Sequence, residues 1–264
     1  MTTSPRGLLI DIVRCVGCRA CVGACKEIHS FPGSDQETEL SATAYTAMVD
    51  FGDDRHVRKL CMHCVKPSCA SVCPVGALAK TPEGPVTYDA SKCLGCRYCM
   101  VACPFGAPRY EWSRVVPAVR KCDMCVGRAA KGQLPACVEA CPAEATVAGT
   151  REELLAEAHR RIAENPESYA PTVYGETEVG GASVLFLSPV PFEELGFRAG
   201  LGTEPLPELT WNALEKVPGV VTVGGAMLFA IWWITKRRDE VAASEGRREI
   251  AGAFARKEVQ HATR

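Results

Sequence analysis

The apolar positions fall in short runs through the first two thirds of the chain and in one long run near its end. Gly7–Arg14 (GLLIDIVR) is aliphatic and β-branched and reads as a strand. Val86–Asp89, Ala145–Ala148 and Ser183–Leu187 read the same way. Over Arg151–Asn165 the period changes. Leu154, Leu155, Ala158 and Ile162 recur at helical spacing, Thr150 stands at the N-cap, and Glu153 completes a capping box. Residues 26–60 are polar, carry Pro32-Gly33 and Phe51-Gly52-Asp53-Asp54, and read as an inserted loop or hairpin. Residues 166–210 are rich in Gly and Pro and read as a covering arm, not an independent domain.

The long run is Val217–Thr235, nineteen residues without a charge. At 1.5 Å per residue it extends about 28 Å, close to a bilayer's hydrocarbon thickness. Trp211 precedes it and Trp232 and Trp233 lie near its far end, where an aromatic belt belongs. A buried core helix is the competing reading, but the segment is apolar on every side and lies outside the cysteine-bearing region. Residues 193–216 carry two basic and five acidic residues, net −3, and residues 236–264 carry eight basic and five acidic, net +3. That step predicts a cytoplasmic C-terminus and a periplasmic N-terminal region.

The net charge of −1 provides no global basic field for nucleic acid, and no acidic bias points to disorder. Cysteine changes the picture. There are sixteen in 264 residues, all between Cys15 and Cys141. The first group is Cys15, Cys18, Cys21 and Cys25, or C-x2-C-x2-C-x3-C. The second is Cys61, Cys64, Cys69 and Cys73, or C-x2-C-x4-C-x3-C. The third, Cys93, Cys96, Cys99 and Cys103, repeats the first spacing. The fourth is Cys122, Cys125, Cys137 and Cys141, or C-x2-C-x11-C-x3-C. The last three groups end in Cys-Pro.

The first and third spacings are those of bacterial ferredoxin. Three cysteines on a tightly turning loop converge on three irons of one cubane. The fourth is expected to begin a helix that points away and reaches a neighbouring cluster, with the proline suiting that helix's first turn. Gly17 and Gly95 let backbone N–H groups turn toward sulfur. Zinc uses four thiolates too, but it does not explain a third cysteine three residues after a CxxC pair, seen twice. Eight disulfides would be strained between thiols so close along the chain.

His63 sits between Cys61 and Cys64 and reads as a donor to cluster sulfur, because four thiolates already complete the ligand set. His29 and His56 read as solvent-exposed. Lys92, Arg97 and Lys121 flank cluster cysteines, which leaves open both a surface role and an electrostatic lift of reduction potential. The pattern as a whole predicts an α+β chain. A duplicated bacterial-ferredoxin-like domain with four [4Fe–4S] sites covers residues 1–150. A helix and covering arm follow over 151–210, then one C-terminal transmembrane helix over 211–235 and a basic cytoplasmic tail over 236–264.

CVGCRACVGAC, CMHCVKPSCASVCP, CLGCRYCMVACPFGAP and KCDMC with PACVEACP resemble the electron-transfer subunits of respiratory molybdopterin enzymes and hydrogenases. The resemblance is to the membrane-anchored HybA-type subunit of hydrogenase-2-type [NiFe] complexes and to the β subunit of respiratory formate dehydrogenase. It continues through GTREELLAEA and YGETEVGGASVLFLSPVPFEELGF to the C-terminal helix. It implies that the first group shares ligands with the fourth and the second with the third. Cluster 1 then takes Cys15, Cys18, Cys21 and Cys141, and cluster 2 takes Cys122, Cys125, Cys137 and Cys25. Cluster 3 takes Cys61, Cys64, Cys69 and Cys103, and cluster 4 takes Cys93, Cys96, Cys99 and Cys73. Some relatives place tryptophan in the third group and hold a three-iron cluster; with Cys96 present, four cubanes are expected. MTTSPRGLLIDIVRC contains no twin-arginine signal, so export as the passenger of a signal-bearing catalytic partner is expected.

The resulting expectation is a non-catalytic subunit of the inner membrane. It passes electrons between a periplasmic hydrogenase or formate dehydrogenase subunit and a quinone-reactive membrane subunit. The alternatives are the iron–sulfur subunit of another molybdopterin oxidoreductase, an enzyme with an open iron, and a structural zinc protein. Sixteen cysteines for sixteen cubane corners leave no iron open.

Overall fold

A computed structural model describes residues 6–112 and 118–262. The first five residues and Arg264 of the basic tail, which entered the readings above, lie outside them. The chain divides into two compact units, residues 1–209 and 210–264.

The first unit opens with β1 (Arg6–Asp11) and α1 (Ala20–His29). The hairpin β2 (Ala47–Asp50) and β3 (His56–Lys59) follows, then α2 (Ser68–Ser71) and the hairpin β4 (Leu78–Lys80) and β5 (Val86–Tyr88). Next come α3 (Tyr98–Ala102), the two-residue strands β6 (Arg109–Tyr110) and β7 (Val119–Arg120), α4 (Val126–Ala129) and α5 (Ala136–Glu139). The unit closes with β8 (Thr146–Thr150), α6 (Arg151–Glu164) and β9 (Val184–Leu187).

β1 is the centre of a three-stranded sheet, antiparallel to β8 and parallel to β9. Leu8, Leu9 and Ile10 are all buried, because both faces of the sheet are covered. Leu8, Ile10, Val184 and Phe186 face the cysteine-bearing side with Met62, Tyr174 and Phe192. Leu9, Leu185 and Leu187 face α6, packing on Leu154 and Ala158. The strand is shorter than the expected Gly7–Arg14. The Asp11 carboxylate accepts the N–H of Val13 (3.1 Å) and Arg14 (3.3 Å), which bends the chain out of the sheet and toward Cys15. Residues 166–210 do more than cover: they contribute β9 and much of the main core. α6 carries the full capping box at Thr150 and Glu153.

A second, smaller pairing lies inside the first. β1 leads into the first cysteine group and pairs with β8, which follows the fourth group. β5 leads into the third group and pairs with β4, which follows the second. α1 packs on α5, and α2 on α3. The strand–cysteine–helix plan thus occurs twice, the inner copy with its halves in permuted order.

In the second unit, α7 (Leu206–Leu214) runs into it from the first, and α8 (Val217–Ala262) fills the rest. Trp211 lies on α7, not on the long helix. The most apolar window reaches a mean hydropathy of 1.8, and none of it is buried within the protein. Thr222 and Thr235 turn their hydroxyls back onto the carbonyls of Pro218 (2.8 Å) and Ile231 (2.9 Å), which satisfies both within the helix. The helix does not stop where charge returns. Ala, Glu and Arg dominate residues 236–262, and these are strong helix formers. The apolar run and the basic tail are therefore one helix of 46 residues, about 69 Å long.

Candidate metal centres

The folded chain gathers the sixteen cysteines into four quartets. Cys15, Cys18, Cys21 and Cys141 line one small cavity. Cys25, Cys122, Cys125 and Cys137 line a second. Cys73, Cys93, Cys96 and Cys99 line a third. Cys61, Cys64, Cys69 and Cys103 form the remaining quartet, in which the thiol of Cys64 feels the other three.

Backbone strain at the loops lets a short segment aim three sulfurs inward. The first loop has Gly17 at φ 66° and Arg19 at φ 59°; the third repeats this with Gly95 at 71° and Arg97 at 66°. His63, Met124 and Cys125 take the left-handed region in the other two. The expected helix after the fourth cysteine is not what forms. Cys73, Cys103 and Cys141 follow α2, α3 and α5, and of the cysteines that end the four groups only Cys25 lies within a helix. Each proline instead sits second in a tight turn, closed by the N–H of Gly76, Gly106 or Glu144 onto the cysteine carbonyl at 3.2, 3.2 and 3.3 Å. A proline cannot extend the preceding helix but presets φ for such a turn. The turns also aim N–H groups at sulfur. The Ala77 N–H donates to Cys73 Sγ at 3.2 Å. Elsewhere the Gly95 and Met124 N–H groups reach Cys93 Sγ and Cys122 Sγ at 3.4 and 3.3 Å.

Burial pushes the Cys25 and Cys69 thiols up to about 12 and Cys99 and Cys125 to about 11, with quartet neighbours adding to the rise. Burial also raises Cys122 well above the usual thiol range. At Cys73 burial raises the value, but the N–H groups of Leu78, Val75, Ala77 and Gly76 outweigh it. Four thiolates in such a site need a cationic core, and binding it displaces their protons. Among the described residues no three His, Cys, Asp or Glu side chains converge tightly enough to hold a single ion. The quartets are rings of sulfur around a space, with backbone N–H donors. That donor set fits [4Fe–4S] cores.

The quartets stand in series. Cys137 packs against the hydrophobic cluster that holds Cys21, Cys122 against the one that holds Cys61, and Cys69 and Cys99 share a third. The first therefore neighbours the second, the second the third, and the third the fourth. Cys18 and Cys96, at the two ends, are exposed, while Cys25, Cys125, Cys61 and Cys69 in the middle are buried.

Several polar residues differ from their sequence reading. His56 is not free in solvent: its Nδ1 is 2.6 Å from Asp50, which also binds Arg19 at 2.7 Å, and its ring lies over Gly17. His29 is half-buried, stacked on Phe31 and tilted against Tyr45, 3.7 Å from Asp123. Lys121 is buried and donates to the carbonyls of Val86 and Cys122. Lys92 is exposed and pairs with Asp89 at 3.3 Å. Arg97 is exposed and stacks over Tyr110 and Trp112. His63 is fully buried; its Nδ1 accepts the Val86 N–H at 2.9 Å, and Nε2 has no partner. Burial, then Lys121 and Lys80, hold its pKa well below the usual range, so it is neutral. Arg58 and Asp11 were missed. Arg58 is buried between the first two quartets, and no spacing in the chain marks it.

A family described as a 4Fe-4S dicluster domain matches residues 55–151. A protein of Nitratidesulfovibrio vulgaris is 43% identical over 94% of this chain and 72% of its own length. The hydrogenase-2 operon protein HybA of Escherichia coli O157:H7 is 41% identical over 72% of this chain and 71% of its own length. The formate dehydrogenase iron-sulfur subunit of Haemophilus influenzae is 35% identical over 83% of this chain and 77% of its own length.

Proposed function

Because the chain belongs to the family of iron–sulfur electron-transfer subunits that includes HybA and the formate dehydrogenase iron–sulfur subunits, we propose that it is a four-cluster wire anchored in the inner membrane. It performs no bond chemistry of its own. When bound, each [4Fe–4S] core supplies one-electron redox chemistry. In this reading Cys15, Cys18, Cys21 and Cys141 hold cluster 1, and Cys25, Cys122, Cys125 and Cys137 hold cluster 2. Cys61, Cys64, Cys69 and Cys103 hold cluster 3, and Cys73, Cys93, Cys96 and Cys99 hold cluster 4. The observation that carries it is the serial packing of the quartets, buried in the middle and open at both ends.

The ends are where partners dock. Val16 is exposed beside Cys18, and Leu94, Tyr98 and Val101 are exposed around Cys96. A catalytic hydrogenase or formate dehydrogenase subunit meets one end, and a quinone-reactive membrane subunit meets the other. Hydrocarbon side chains around the middle quartets, Leu60 and Met62 among them, keep water from the interior steps. The charge step across the apolar helix supports a periplasmic 1–150 cluster domain, with its 151–210 arm, and a cytoplasmic tail.

The ligand crossing gives the test. Cys25 lies on α1 among the first group, yet its neighbours are Cys125 and Cys137. In Cys25→Ser the EPR signal of cluster 2 changes and that of cluster 1 persists. Selective loss of the cluster 1 signal contradicts the assignment.

A further inference from the structure

Arg58 lies on β3, one position before the hairpin ends, and is 2% exposed. It lines both the Cys15–Cys141 cavity and the Cys25–Cys137 cavity. Its Nη1 donates to Thr146 Oγ1 at 3.1 Å, and its Nη2 donates to Cys137 Sγ at 3.4 Å. Its Nε is buried without a partner. Among the described residues no carboxylate pairs with it; the groups that face it are the sulfurs of Cys137, Cys21, Cys122 and Cys25. An arginine cannot shed its proton at neutral pH, and a buried cation without a counter-charge is costly. The groups placed to balance it are the sulfurs of two neighbouring quartets.

We propose that Arg58 is a fixed positive charge set between clusters 1 and 2, a positioning residue that raises the reduction potential of both. The inference rests on the ligand sets proposed above. Its sign follows from charge alone. One electron from the catalytic partner makes a cluster one unit more negative, and a fixed cation in a low-dielectric site stabilises that added charge. The electron then passes to the next cluster, and Arg58 neither gains nor loses a proton. The planar fork suits the place, because it spans a hydroxyl on one side and a ligand sulfur on the other. Clusters 3 and 4 do not share this charge, so its effect is confined to one half of the wire.

Potentiometric EPR titration of the full, cluster-loaded chain tests this, with iron content measured in parallel. In Arg58→Met iron is retained and the potentials of two clusters fall. The equilibrium constant for reduction drops at least tenfold at each, which is 59 mV for a one-electron couple. The other two potentials stay. Arg58→Lys, which keeps the charge without the fork, returns both toward wild type. Four intact clusters with unchanged potentials in Arg58→Met overturn the inference, as does an Arg58→Lys variant that falls as far as Arg58→Met. If Arg58→Met loses iron, Arg58→Gln carries the test, since it keeps a donor and drops the charge. Lowered potentials there support the inference, and unchanged ones overturn it. Loss of iron from both neutral variants with retention in Arg58→Lys also supports a requirement for charge, whereas loss from all three overturns it. Wild-type chain holding fewer than four clusters instead refutes the ligand sets, and the role of Arg58 falls with them.

Discussion

Asp11→Ala removes the residue that ties the first cysteine loop to the rest of the fold. Asp11 is fully buried. One carboxylate oxygen accepts Arg161 Nη1 at 2.8 Å and the Tyr169 hydroxyl at 2.9 Å. The other turns the chain toward Cys15 through the N–H groups of Val13 and Arg14. Breaking a buried ion pair by removing one partner costs about 3–5 kcal/mol. Arg161 keeps Glu157 at 2.7 Å, so the lower end, about 3 kcal/mol, applies. The stranded Tyr169 hydroxyl adds about 1 kcal/mol. The assay is loss of the visible iron–sulfur absorption against urea at fixed incubation time. With a slope of about 3 kcal/mol per M, a cost of about 4 kcal/mol lowers the midpoint by a little over 1 M. The signal of cluster 1 goes first, because its loop hangs from Asp11. Tyr169→Phe, which removes only the hydroxyl, shifts the midpoint by about 0.3 M. An Asp11→Ala midpoint within about 0.3 M of wild type refutes the reasoning.

The three Cys-Pro turns offer a cleaner backbone experiment. Gly76 and Gly106 close two of them at φ 61° and 59°, with open space where a Cβ would stand, and Glu144 closes the third at 49°. Alanine at Gly76 or Gly106 costs about 1 kcal/mol each, and Glu144→Gly gains somewhat less, because glycine also loosens the unfolded chain. Thermal loss of cluster absorption moves down for the first two and up for the third; a fall in Glu144→Gly contradicts the strain argument. Topology is checked in intact cells and spheroplasts. A reporter fused after Arg264 behaves as cytoplasmic, and added protease reaches residues 26–60 but not the tail. Deleting the twin-arginine signal of the catalytic partner leaves the cluster region inside the cell. A tail open to external protease refutes the orientation.

The cysteine spacings, the strands around them and the capping box at Thr150 are local patterns, and they are legible because local chemistry decides them. The short apolar runs marked β1, β5, β8 and β9 to within a few residues. What the chain hides is long-range or competitive. Arg58 meets Cys137 and Thr146 across 79 and 88 positions, so only the finished fold brings them together. Lys121 and Arg161 are charged residues in polar stretches, and nothing local foretells their burial. Cys-Pro suits both a helix start and a turn after a helix; the helices ending at Ser71, Ala102 and Glu139 decide for the turn. The tail of α8 carries charge of both signs, which conceals its helical state. His29 and His56 looked polar and free because their partners, Tyr45, Asp123 and Asp50, reach them only through folding.

Iron and acid-labile sulfide counted per purified chain, with the number of reducible clusters counted by EPR on the same sample, test the central claim most directly. Sixteen cysteine ligands in four quartets predict about sixteen iron and sixteen sulfide, and four one-electron centres. About four zinc without sulfide, or about half the iron with two centres, contradicts a four-cluster wire.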